Sequence, residues 1–312
     1  MKMESTATTQ KVKKPLTGRQ KDLIFYCLMM IWPVAQFCVF YIGVNFNSIL
    51  LSFQDIDIVN GTTTWTFDKI IQAFQDMTSS KNLLIAAENS LLVYFLSLVI
   101  GTPLGLFFSY YIYKKMPGSS AFRVLLFMPS IVSGIVMVAM FQFFVEQAIP
   151  QLWKDVFGIE IRGLIENPDT RFGTILFFCI WSGFGTSVLM YSNAMSGISQ
   201  EIVESAHLDG ATGIREFISI TFPMIFPTLS TFLITGVAGI FTNQFALYSF
   251  YGGGASPEIQ TYGYYMYMKT KNATSEAEYP ILSAMGLWMT VVAVPLTLVV
   301  KWLLEKFGPS ED

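Results

Sequence analysis

Long stretches without a charged side chain alternate with short polar segments along this chain. Six such stretches cover residues 23–54, 89–113, 124–145, 172–200, 217–257 and 279–300. Each is long enough to hold a helix of ~20 apolar residues, the length that crosses a bilayer core of ~30 Å. Period-2 alternation, which a membrane β-barrel requires, is absent. The pattern therefore predicts an all-α membrane protein with six transmembrane helices, since lipid tolerates no unsatisfied backbone.

The polar segments carry shorter periodicities. Phe67, Ile70, Ile71 and Phe74 recur at i, i+3, i+4, i+7, which fits a helix lying on the membrane surface or one packed on the protein. Between the fourth and fifth stretches, Ile198, Ile202 and Ala206 recur at i, i+4, i+8 while Glu201, Glu204 and His207 point elsewhere. This predicts a short amphipathic helix, broken at Asp209-Gly210 because glycine readily takes the positive φ of a helix end. A second short helix over 212–222 is expected to stop at Pro223. Within the spans, Gly101, Pro103 and Gly105 on the second and Gly236 and Gly239 on the fifth read as devices that let helices approach closely. Tyr262, Tyr264, Tyr265 and Tyr267, after the Gly252-Gly253-Gly254 run, suit a membrane-interface belt or a contact to a sugar or partner.

Composition agrees with this reading. Of 312 residues 53% are hydrophobic, 15% aromatic and only 13% charged, against roughly a quarter charged in soluble domains. Orientation follows from Lys and Arg in the short loops. With the N-terminus inside, 12 of the 19 lie on the cytoplasmic side, Lys114, Lys115 and Arg215 among them, and 7 outside. Both termini are expected to be cytoplasmic. The domain reading is a disordered basic tail over 1–22, a six-helix domain over 23–304 containing the loop 198–222, and a short tail over 305–312. A net charge of -3 gives no reason to expect a nucleic-acid partner. Cys27, Cys38 and Cys179 lie in predicted spans without CxxC spacing and read as packing residues. The single histidine, His207, makes metal or histidine-based chemistry unexpected.

The loop carries a family resemblance. Glu204-Ser205-Ala206, three residues, Gly210, nine residues and Ile220-x-Phe222-Pro223 resemble the EAA loop of bacterial ABC importer permeases, with the same spacing throughout. Asp209-Gly210-Ala211 and Pro227 are further similar to the carbohydrate-uptake branch, the maltose and glycerol-phosphate type. Ser205 and Phe222 depart from that pattern, which has alanine and leucine there. The resemblance implies one transmembrane half of an importer in the bacterial cytoplasmic membrane. Its loop would be a coupling helix seated in a separate ATPase, with Glu204 making charged contacts, Ala206 permitting close approach and Gly210 supplying the bend. The implied partners are a second permease subunit, an ATPase dimer, an external solute-binding protein and a sugar. ATP and Mg would be used by the ATPase, because this chain has no Walker A sequence and is expected to bind no cofactor and catalyse no reaction.

No Lys, Arg, Asp or Glu is expected deep in a span, which argues for a neutral polar cargo. Candidates for its path are Trp181 and Ser187 on the fourth span, and Asn243, Gln244 and Tyr248 on the fifth. Each amide could equally bond a neighbouring helix. Other cargoes of the same architecture, a peptide, an amino acid or another polar solute, stay open. So does a secondary transporter, although the intramembrane ionisable residues that such proteins use are not evident.

Overall fold

The computed structural model describes residues 17–58 and 60–309. Among them six helices are long and apolar enough to span a membrane, so the all-α six-span class is the observed one. The first, α1 (Gly18–Leu51), forms a unit by itself. It starts inside the segment expected as a tail, where the Thr17 amide donates to Gln20 Oε1 at 3.0 Å and so satisfies one orphan donor of the first turn. Residues 1–16 of that tail lie outside the described residues, as do 310–312 of the C-terminal one.

The second unit begins at Ser52 with a hairpin of β1 (Gln54–Asp57) and β2 (Thr62–Trp65), paired antiparallel with Gln54 opposite Trp65. Helices α2 (Asp68–Ser79), α3 (Lys81–Tyr113), α4 (Ser119–Ile131), α5 (Gly134–Phe157) and α6 (Pro168–Ser196) follow. Then come α7 (Gln200–Leu208), α8 (Ile214–Ala238), α9 (Leu247–Tyr251), α10 (Tyr262–Asn272) and α11 (Tyr279–Phe307). The amphipathic α2 packs on the protein: Trp288 Nε1 of α11 donates to the Ile70 carbonyl at 2.9 Å, and the Phe74 and Trp288 rings lie 4.9 Å apart.

Three expectations of the helix map are corrected. Pro223 does not end a short helix, because α8 runs through it from Ile214 to Ala238. The turn just before it, Phe217–Thr221, is a π-turn. Proline lacks an N–H and crowds the carbonyl four residues back, and the wider turn gives its ring room. The same device precedes Pro103, at Ser97–Gly101, and Pro150, at Phe144–Ala148.

The third span is also displaced. The stretch 124–145 is not one helix, since Val132 is extended and Ser133 also leaves the helical region, with ψ of 143° and 130°. The 13-residue α4 is too short to cross, and α5 is the spanning helix. The fifth span ends at Ala238, well inside the uncharged stretch 217–257 in which it was expected. Residues 239–246 leave the helix, and Phe245 and Ala246 take φ of 53° and 52°. Bulky residues with positive φ are uncommon and strained. The strain is offset by packing, for Phe245 and Leu247 are buried in the apolar cluster with Phe178, Phe250 and Tyr264. The tyrosine belt is corrected in part: Tyr262 and Tyr264 are 2% and 1% exposed.

Apolar burial does not drive helices together in lipid, so close approach between small residues matters. A Cβ on Gly236 would lie 2.8 Å from Tyr94, and one on Gly185 2.7 Å from the Phe127 Cα of α4. Both glycines are places where another element fills the space a side chain would take.

Candidate functional site

Two places in the second unit depart from plain helix packing. The first is the loop joining the fourth and fifth spans. Helix α7 ends at Leu208 and is capped by Asp209, and Gly210 follows with φ of 81°, the left-handed conformation in which only glycine is free of Cβ strain. The Ala211 amide closes the end by donating to the Ala206 carbonyl at 2.9 Å. A second turn at Gly213, φ 58°, sends the chain into α8.

The side chains of α7 divide by face. Val203 and Ala206 are buried, so Ala206 permits close approach to this chain's own body, and Ile202, expected on that face, is exposed. Glu204 and Ser205 are exposed, and the Gln200 amide donates to Glu204 Oε1 at 2.9 Å. Asp209 and Gly210 lie at the exposed tip, with Ala211 and Pro223 half-buried. Leu208 and Ile214 stand beside the tip at 90% and 78% exposure. The charge pattern used to read the loop did not point to this pair.

Beneath the loop lies a group that sequence reasoning missed. Glu216, in the first turn of α8, is 1% exposed. Its Oε1 is 2.6 Å from Lys114 Nζ and its Oε2 2.9 Å from His207 Nε2. The Tyr110 hydroxyl donates to the Gly213 carbonyl at 2.9 Å, and its ring meets Phe217 edge to face at 5.0 Å. The charge of Glu216 is visible in the sequence. Its burial is visible only once α3 is placed beside it.

The second place is the break in the fifth span. Unwound backbone at membrane depth is tolerated where it is buried in protein or lines a cavity, and segment 239–246 does both. The Asn243 carbonyl accepts from Thr261 Oγ1 at 2.7 Å, and Asn243 Oδ1 accepts from the Phe245 amide at 2.8 Å. Asn243 lines a cavity of about 240 Å³ whose lining also includes Ser97, Thr102, Ser187 and Tyr191 and no charged residue.

Of the path candidates, the structure therefore brings Ser187 and Asn243 together. Trp181 is six residues from Ser187, which turns it to another face of α6 at 3.6 residues per turn. It lines a separate apolar cavity of about 590 Å³ with Met137, Met140, Phe141 and Phe144. Gln244 is half-buried in the unwound segment, and its carbonyl accepts from the Leu247 amide at 3.0 Å. Tyr248 lies on α9, where its hydroxyl accepts a hydrogen bond from Lys271 and its ring meets Tyr267 edge to face. That hydrogen bond holds the Lys271 ammonium above its ordinary range against the opposing effect of desolvation. The face of α6 that does line the cavity, Ile180, Gly183, Phe184, Ser187 and Tyr191, has helical spacing and was legible as a face, though not as a lining.

A profile of the family described as binding-protein-dependent transport system inner membrane component matches residues 98–311. The chain belongs to that family. It is the multi-pass inner-membrane component of a transport system, and the matched stretch contains both sites. A Bacillus subtilis (strain 168) protein described as probable ABC transporter permease protein YesP is 24% identical over 306 residues, 92% of each chain. The multiple sugar-binding transport system permease protein MsmF of Streptococcus mutans serotype c is 22% identical, across 91% of this chain and 93% of that one. The glucose import system permease protein GlcT of Saccharolobus solfataricus is 24% identical, across 88% and 97%. Among solved structures, a bacterial ABC transporter involved in the import of the acidic polysaccharide alginate has a chain that matches with a TM-score of 0.75 at 21% identity, covering 92% of this chain and 96% of that one. At that identity the likeness is one of fold.

Proposed function

We propose that this permease is one transmembrane half of an ATP-driven importer for a neutral sugar or oligosaccharide. A separate ATPase dimer would grip the loop 198–222 from the cytoplasmic side and rock the spans between inward-open and outward-open states. Both termini would lie on that side. Glu204, Ser205, Asp209, Gly210 and Ala211 would make or shape the contact, with Leu208 and Ile214 as its apolar part, while Ala206 and Pro223 seat α7 and α8 behind it. ATP and Mg would be bound by the ATPase, with no cofactor on this chain. The observation that carries the reading is the exposed helix-glycine tip, bearing the Glu-x-Ala, Gly, Pro spacing, in a chain of a binding-protein-dependent family.

The cargo reading draws on the uncharged cavity and on the relatives from Streptococcus and Saccharolobus, which are described as sugar and glucose permeases. Hydroxyls and an amide suit a sugar, which needs no counter-charge. At 240 Å³ the cavity is smaller than the ~300 Å³ lower bound for ligand sites, which fits a path completed by a second permease subunit. An external solute-binding protein would deliver the sugar; an alginate importer has been solved with its alginate pentasaccharide-bound periplasmic protein.

The test is Gly210→Val. Nothing lies within 4 Å of a Cβ at Gly210, so the substitution acts through its φ of 81°, at a cost of ~1–2 kcal/mol confined to the tip. Uptake should be abolished while membrane insertion and yield stay at wild-type level. Normal uptake in that variant would remove the coupling role of the loop.

A further inference from the structure

We propose that Glu216 is a positioning residue that locks α7 to the ends of α3 and α8, so that a displacement of α7 reaches both spans together. The proposal rests on the reading of loop 198–222 as the part gripped by the ATPase. Three elements meet at one carboxylate. Lys114 follows the last turn of α3, His207 lies in the last turn of α7, and Glu216 opens α8. The two oxygens are divided between the two partners, at 2.6 Å and 2.9 Å. Lys114 Nζ also lies 5.7 Å and 5.4 Å from the Tyr110 and Tyr113 ring centroids. Burying a carboxylate is unfavourable unless it is paired, so the three groups hold one another in place.

The geometry explains why a lock is needed here. Gly210 and Gly213 both take positive φ, so α7 and α8 are joined by a pair of turns and not by continuous helix. A push on α7 would bend those turns before it moved α8. The bridge from His207 to Glu216 spans both turns, and Lys114 extends it to α3. None of the three belongs to the Glu204, Gly210 and Pro223 spacing.

The test uses the reconstituted transporter, with its ATPase, partner permease and binding protein, and reads solute imported per ATP hydrolysed. Glu216→Gln keeps the shape and removes the charge. Its ratio should fall at least tenfold while the ATPase stays bound and continues to hydrolyse, and Glu216→Asp should recover part of the loss. Adding Lys114→Met to Glu216→Gln should cost nothing further, because both remove the same bridge. His207 is 42% exposed, so its replacement should leave the fold intact: His207→Ala should lower the ratio several-fold, and His207→Gln, which retains a donor, should restore it. An unchanged ratio in Glu216→Gln overturns the proposal, and so does a His207→Ala ratio equal to wild type. Gly210→Val separates the two claims. If it transports normally, the reading of the loop fails. If it is inactive while Glu216→Gln and His207→Ala keep the wild-type ratio, the lock alone fails.

Discussion

Gly263 should be the least replaceable glycine packed against the break in the fifth span. It opens α10 directly against the unwound segment. A Cβ placed on it would lie 2.6 Å from both C and O of Thr242 and 2.7 Å from the Asn243 carbonyl oxygen. All three are backbone atoms, which cannot rotate aside as a side-chain end can. Gly263→Ala therefore has to push α10 away from segment 239–246. Overpacking of this kind costs ~1–3 kcal/mol. Separation also breaks the 2.7 Å bond from Thr261 Oγ1 to the Asn243 carbonyl, worth ~1 kcal/mol. The sum, about 2–4 kcal/mol, changes the folded fraction ratio roughly 30- to 700-fold. The assay is the thermal midpoint of the detergent-purified protein, beside Gly286→Ala, where nothing lies within 4 Å of the new Cβ and the change should stay within ~0.5 kcal/mol. Equal midpoints for Gly263→Ala, Gly286→Ala and wild type would refute the packing argument for the break.

Two further outcomes follow from the same geometry. Ser187→Leu places an apolar side chain in the cavity it shares with Asn243; sugar uptake should fall at least tenfold with the thermal midpoint unchanged, and unaltered uptake kinetics would take the cavity out of the path. Trp288→Phe removes the N–H that the Ile70 carbonyl accepts at 2.9 Å; it should cost ~1 kcal/mol in the midpoint and speed proteolysis within α2.

The spans were legible because a bilayer demands some twenty apolar residues in a row, and no tertiary contact can disguise such a run. The tip of the loop was legible for a local reason, since Asp209-Gly210 ends α7 where that glycine takes φ of 81°. Interruptions inside spans were not. The break after Ala238 is held by Thr261 and Gly263, which arrive from α10, and the break at Val132 and Ser133 lies in an uncharged run. Pro223 misled because proline ends a helix in isolation, whereas a π-turn at Phe217–Thr221 carries the helix past it. Glu216 reads as one more charge in a polar loop, and its meaning depends on Lys114 at the far end of α3. Trp181 and Ser187 looked alike as polar or aromatic lining, and the turn of α6 separates them.

Uptake into proteoliposomes that hold this chain, its partner permease and its ATPase is the most direct test of the central claim. Labelled neutral oligosaccharide is supplied outside with the solute-binding protein, and ATP is sealed inside. Accumulation should require both ATP and the binding protein, and should vanish in Gly210→Val. Accumulation that proceeds without ATP or without the ATPase subunits, or that is driven by an ion gradient alone, would contradict it.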